Sequence, residues 1–151
     1  CADMARCFFV GTGSEDLKKM VAVAQSALDK GIEQAIPGNR LSDISAAIQA
    51  EIEKHGYGIV RDFAGHGIGK HMHEAPEILN YGNSGQGPYL KAGMTFAIEP
   101  MITMGGYKVY ITEDGWTVKT SDKSLAAHVE DTIAITDGQP IILTRGKVGG
   151  I

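Results

Sequence analysis

The chain has 151 residues, 43% of them hydrophobic and 21% charged, with a net charge of −4 when the histidines are neutral. A chain this long suits one ordinary domain and buries roughly 70% of its unfolded surface, which excludes wholesale disorder. Lys and Arg are scattered rather than striped, and apolar runs such as residues 140–143 are far too short for a bilayer, so neither nucleic-acid binding nor membrane insertion is expected.

The opening Cys-Ala-Asp-Met-Ala-Arg lacks an initiating methionine and is expected to be the interior of a longer polypeptide; no charged-then-apolar leader argues for secretion. Residues 4–10 read as a strand that ends at the Gly11-Thr12-Gly13 breaker. Extended, that strand would hold Cys1 and Cys7 about 20 Å apart, beyond disulfide reach, so free thiols and a cytoplasmic location are expected. Ser14 reads as a helix N-cap, with Glu15 and Asp16 in the first turn and Leu17, Met20, Val21, Ala24, Leu28 and Ile32 at helical spacing before Pro37-Gly38. A second amphipathic helix carries Leu41, Ile44, Ile48 and Ile52 on one face and closes at Gly56.

From Gly58 the texture changes to short strands, expected at residues 58–61, 95–99, 107–112, 116–119, 129–136 and 141–144. Residues 65–69 and 82–87 read as glycine-rich loops, and Asp114-Gly115 and Asp137-Gly138 as tight turns. Helices first and strands later predict an α+β fold in which the two helices cover one face of a sheet.

Several strings carry chemistry. Gly65-His66-Gly67-Ile68-Gly69 leaves an imidazole unobstructed and brings main chain close to whatever the ring contacts. His71 and His73 follow, with His71 expected to be the solvated one. Glu99 ends the apolar strand that Pro100 terminates, and Glu130 and Asp131 stand inside the strand pattern of residues 129–136. Buried carboxylates need a partner, and the scarcity of nearby Arg and Lys leaves a metal as the economical one. With Asp3, one imidazole and three carboxylates suit Mn, Fe, Co or Zn. A Cys/His nucleophilic site would have to use Cys7, whose flanks offer no activation.

These strings, with Glu74-Ala75-Pro76, residues 93–101 and Asp114-Gly115-Trp116-Thr117-Val118-Lys119-Thr120, resemble a type I methionine aminopeptidase of the pita-bread metallopeptidase fold along essentially the whole chain. The resemblance implies an α+β pita-bread fold, here its C-terminal portion. An antiparallel curved sheet would carry the two amphipathic helices on its outer face, in one N-terminally incomplete domain over residues 1–151. It implies the metal ligands Asp3, His66, Glu99 and Glu130, with His66, Glu99 and His73 catalytic and with His73, Met72 and Trp116 contacting substrate. Such enzymes use two divalent ions, of Co, Mn, Fe or Zn, to remove the initiator methionine from nascent chains near the ribosome when the second residue is small. A further aspartate ligand lies upstream of Asp3 in that family, so at most one ion is expected here, and a preceding segment or a dimer partner is expected to complete the fold. An Xaa-Pro aminopeptidase or prolidase shares the ligands but usually has arginine where this chain has His128; a non-catalytic pita-bread binding protein typically loses ligands that this chain keeps.

Overall fold

The computed structural model describes residues 1–146. Ser14 caps the first helix as its sequence predicts: the side-chain oxygen accepts the Leu17 N–H, and Glu15 and Asp16 lie in the first turn, where the helix dipole favours acids. This helix, α1 (Glu15–Glu33), buries Met20, Ala24, Leu28 and Ile32 along one stripe. The second, α2 (Leu41–Lys54), begins where the Asp43 carboxylate accepts the Arg40 N–H at 2.7 Å, and the chain leaves it through Gly56 at φ +76°. Ile44, Ile48 and Ile52 are fully buried on its inner face. The helices approach closely at Gly31, where a Cβ would stand 2.7 Å from Ile48 Cγ1. Burying each such aliphatic side chain stabilises the fold by about 1.5–3 kcal/mol.

The strands are β1 (Gly58–Ile59), β2 (Gly65–Gly67), β3 (Glu74–Ile78), β4 (Thr95–Ile98), β5 (Met101–Thr103), β6 (Val109–Ile111), β7 (Val118–Thr120), β8 (Ala126–His128), β9 (Asp131–Ala134) and β10 (Ile141–Ile142). All their pairings are antiparallel. They form a five-stranded sheet in the order β10-β9-β4-β2-β3, a three-stranded sheet β1-β5-β8 and the hairpin β6-β7. The chain passes between the three-stranded and five-stranded sheets three times, first entering the five-stranded sheet after β1. It leaves the five-stranded sheet across Glu99-Pro100, between β4 and β5, and returns across Val129-Glu130, between β8 and β9. The Val129 N–H donates to the Pro100 carbonyl at 3.3 Å, so the two corners lie side by side. Ile98, Ile102, Val129 and Ile133 join the helices' apolar stripes in one hydrophobic cluster. The α+β expectation, with two helices against antiparallel sheets, is met.

Several local expectations are corrected. Residues 4–10 are not a strand: Ala5 makes a single bridge to Glu130, while Phe8 and Val10 lie exposed. Apolar pattern favours extension, but a strand exists only where a neighbouring backbone takes up its hydrogen bonds. Residues 65–69 are not a loop, since Gly65–Gly67 is β2, flanked by β3 and β4. Strands β3, β5 and β8 were not expected; each is short, and β3, reading Glu-Ala-Pro-Glu-Ile, has little of the alternation that marks a half-buried strand. The ladder expected over residues 129–136 is confined to Asp131–Ala134, because Glu130 belongs to the corner.

Replacing Ile48 with alanine removes packing from the centre of the α1–α2 contact. Urea denaturation should show a loss of about 2–5 kcal/mol; a loss below about 1 kcal/mol would contradict this burial.

Candidate metal centre

His66 sits in the middle of β2, opposite Ala97 of β4 and Glu77 of β3. The glycines beside it are required by crowding. A Cβ on Gly65 would lie 2.4 Å from the Ala97 carbonyl oxygen, and one on Gly67 would lie 2.3 Å from that of Ala75. Both obstacles are backbone and cannot swing away, so only glycine lets the strands close around the histidine. The ring is buried, with Nδ1 2.9 Å from the Gly67 carbonyl. Donation from Nδ1–H to that carbonyl leaves Nε2 with its lone pair free, the tautomer a metal ligand requires.

Nε2 of His66 lies 3.7 Å from Oε1 of Glu99, and the second oxygen of Glu99 lies 3.2 Å from Nε2 of His128. Asp3 arrives from the start of the chain, held by a reciprocal pair of hydrogen bonds. Its N–H donates to the Thr132 hydroxyl at 2.8 Å, and that hydroxyl donates to the Asp3 carbonyl at 2.8 Å. Two groups of ligand atoms result, Asp3 with His66 and Glu130, and Glu99 with His128 and Glu130, each with its atoms within 4.8 Å of one another. The four expected ligands therefore converge, with Glu130 common to both groups.

Glu130 is 4% exposed, and its Oε1 has no hydrogen-bond partner among the described residues. Burial, and then the negative charges of Glu99 and Asp3, push its pKa up to about 7. His128 is also raised: burial opposes its charge, but the hydrogen bond and attraction from Glu99 prevail. Asp131, one residue on, faces the other side, as adjacent residues of an extended chain must. There Arg6 and Arg145 pair with its fully buried carboxylate, the latter at 2.8 Å, and the Thr144 hydroxyl donates to it at 2.7 Å. Among the described residues no Arg or Lys pairs with the Glu130 carboxylate, though His128 stands close to it, whereas at Asp131 the expectation is wrong, since its arginines come from distant sequence. An orphaned buried carboxylate oxygen amid further carboxylates and a correctly poised imidazole fits a divalent cation.

Of the other expected site residues, His73 packs edge-on against His66, with ring centroids 4.4 Å apart at 62°. Trp116 stands at the mouth of a cavity of about 570 Å³, together with Val60, Phe63, Glu99, Met101 and His128. Met72 is exposed and is not among the residues lining that cavity; His71 is exposed, as expected. Sequence reasoning missed two neighbours of Glu99. His128 precedes Glu130 by two residues, the spacing that shares a face in extended chain, and that was a legible signal. Asn80 is buried and donates its amide to the Glu99 carbonyl at 3.0 Å, and no local pattern marks it.

The family model described as metallopeptidase family M24 matches residues 1–137. The chain is 54% identical over 142 residues to a methionine aminopeptidase of Clostridium acetobutylicum, covering 94% of this chain and 57% of that protein. It is 51% identical to a methionine aminopeptidase of Clostridium perfringens, covering 97% of this chain and 59% of that one. Among solved structures, methionine aminopeptidase from Rickettsia prowazekii superposes with a TM-score of 0.93 at 47% identity, over 95% of this chain and 58% of that chain. A prolidase from Pyrococcus horikoshii gives 0.73 at 28% identity, over 97% of this chain and 36% of that chain. The chain thus spans a little under three-fifths of the methionine aminopeptidases it matches, and its fold is the pita-bread fold of those enzymes.

Glu130 titrates near pH 7 in the folded metal-free chain, against an ordinary 4.5. The folded state therefore binds this proton more tightly than the unfolded state, and stability is lost as pH rises from about 4.5 through about 7. Glu130→Gln removes that slope. In the presence of a chelator, its melting temperature should exceed that of the parent at pH 8 and match it at pH 4; equal values at both pH would contradict the orphaned carboxylate.

Proposed function

The chain belongs to metallopeptidase family M24, and from that premise we propose that it carries the metal-binding side of a methionine aminopeptidase. The proposed reaction removes methionine from the N-termini of nascent cytoplasmic polypeptides whose second residue is small. The convergence of Asp3, His66, Glu99 and Glu130 around one unsatisfied carboxylate oxygen carries this reading. Relatives at 51–54% identity that are methionine aminopeptidases support the choice of substrate. The prolidase reading is weaker, since that likeness falls to 28% identity.

The residues divide the work. Asp3, His66, Glu99 and Glu130 would hold one divalent ion of Co, Mn, Fe or Zn, a set of oxygen donors and one imidazole that suits any of them. A bound ion supplies Lewis acidity toward the scissile carbonyl and toward water. Glu99 takes the proton of the attacking water and returns it to the leaving amine, a task for a carboxylate that is largely shielded yet opens onto a cavity. His73, exposed and edge-on to His66, donates toward the developing oxyanion. Trp116, which lines the same cavity as Glu99, packs against the methionine side chain, with Met72 as a further apolar contact. A second ion, as in the complete enzymes of this kind, needs ligands beyond these.

The test is a competition between Met-Ala-Ser and Ala-Pro-Ser peptides, followed by mass spectrometry with added Mn, Co or Fe. Methionine alone should be released, and Glu99→Gln should slow release by about 100-fold or more. Cleavage before proline would transfer the chain to the prolidase branch. Absence of cleavage by folded, metal-loaded protein would end the claim that the residues present suffice for turnover.

A further inference from the structure

Three groups surround Glu99. Its main-chain carbonyl accepts the Asn80 amide at 3.0 Å, its Oε1 faces Nε2 of His66 at 3.7 Å, and its Oε2 faces Nε2 of His128 at 3.2 Å. At 3.2 Å the two groups are within reach of a hydrogen bond, in which His128 must be the donor, because a carboxylate oxygen can only accept. Its position is fixed by pairing rather than by chance. His128 ends β8 opposite Met101 of β5, and the adjacent Val129 N–H bonds to the carbonyl of Pro100, the residue that follows Glu99. The two sheet corners therefore deliver the imidazole to the far side of the carboxylate from His66.

We propose that His128 is a positioning residue for Glu99: its Nε2–H donates to Oε2 and so turns Oε1 toward the ion position beside His66. The inference rests on the metal centre proposed above. Without that donor, the carboxylate is free to rotate and present either oxygen, or both, to the same space. The role differs from ligation, because a nitrogen that donates its hydrogen to Glu99 has no lone pair left for a cation. Only the donor matters here, so a side-chain amide at position 128 serves as well as an imidazole.

The test titrates Mn²⁺ into the 151-residue chain by calorimetry, with His128→Gln and His128→Leu alongside. His128→Leu should bind manganese about tenfold or more weakly, and His128→Gln within about twofold of the parent, as for a lost and a retained outer-shell donor. Electron spin echo spectra of the manganese-loaded parent should show one coordinated imidazole. Equal affinities of the parent and His128→Leu would overturn the proposal. So would a His128→Gln loss as large as that of His128→Leu together with a second imidazole coupled to manganese, which would make His128 a ligand. Should His128→Leu fail to fold, ¹⁵N spectra of the metal-free parent at pH 8 decide the matter. A proton on Nε2 of His128 is the expected state, and a bare Nε2 overturns the hydrogen bond. Failure of the parent to take up manganese would instead remove the metal centre, and the same spectra would still decide whether His128 donates.

Discussion

The structure turns on one carboxylate that has nowhere to go. Glu130 sits at the corner where the chain passes between two sheets, one oxygen without a hydrogen-bond partner among the described residues, and burial, followed by the charges of Glu99 and Asp3, raises its pKa to about 7. A buried anion without a counter-charge is among the costliest features a fold can carry, and it persists where something external neutralises it. The remaining site residues are arranged around that cost: His66 with the correct tautomer, Glu99 across from it, and Asp3 tied down by the Thr132 hydroxyl. The protein stabilises an arrangement that favours its ion-bound state.

Holding that cluster requires rigid surroundings, and different parts of the fold supply them. Crowded backbone on both sides of His66 admits only glycine, so β2 is locked between β3 and β4. Behind the sheet, Asp131 is clamped by Arg6 and Arg145, and Arg145 also pairs with Asp29 of α1, linking the helical layer to the strand that follows Glu130. Arg6 also donates to the Glu130 carbonyl, so one side chain serves both the structural carboxylate and the backbone of the functional one.

Much of the site was legible because its residues carry unusual local context. A histidine between glycines, a glutamate before proline and a Glu-Asp-Thr in a strand pattern single out His66, Glu99 and Glu130 in combination, and helical spacing marks the buried faces of α1 and α2. What was misread shares one cause. The glycines of β2 look like loop formers because glycine is permissive, yet here they answer to the carbonyls of Ala75 and Ala97, which no local window contains. Residues 4–10 look like a strand because their side chains are apolar, yet pairing is a property of the neighbour and Ala5 alone finds one. Asn80 acts through a backbone carbonyl nineteen residues away and has no signature at all.

The sequence by itself determined the helices, the α+β character and which side chains could serve as ligands, since periodicity, caps and residue chemistry are local properties. Only the tertiary structure decided which of two adjacent acids, Glu130 or Asp131, is left without a cation. The pleat sends them to opposite faces, and the arginines that satisfy Asp131 arrive from both ends of the chain. It also decided that His128 meets Glu99, because that contact exists only where two strands change sheets side by side. Charge compensation in a fold is settled by distances through space, and those follow from how the strands pair rather than from the order of residues along them.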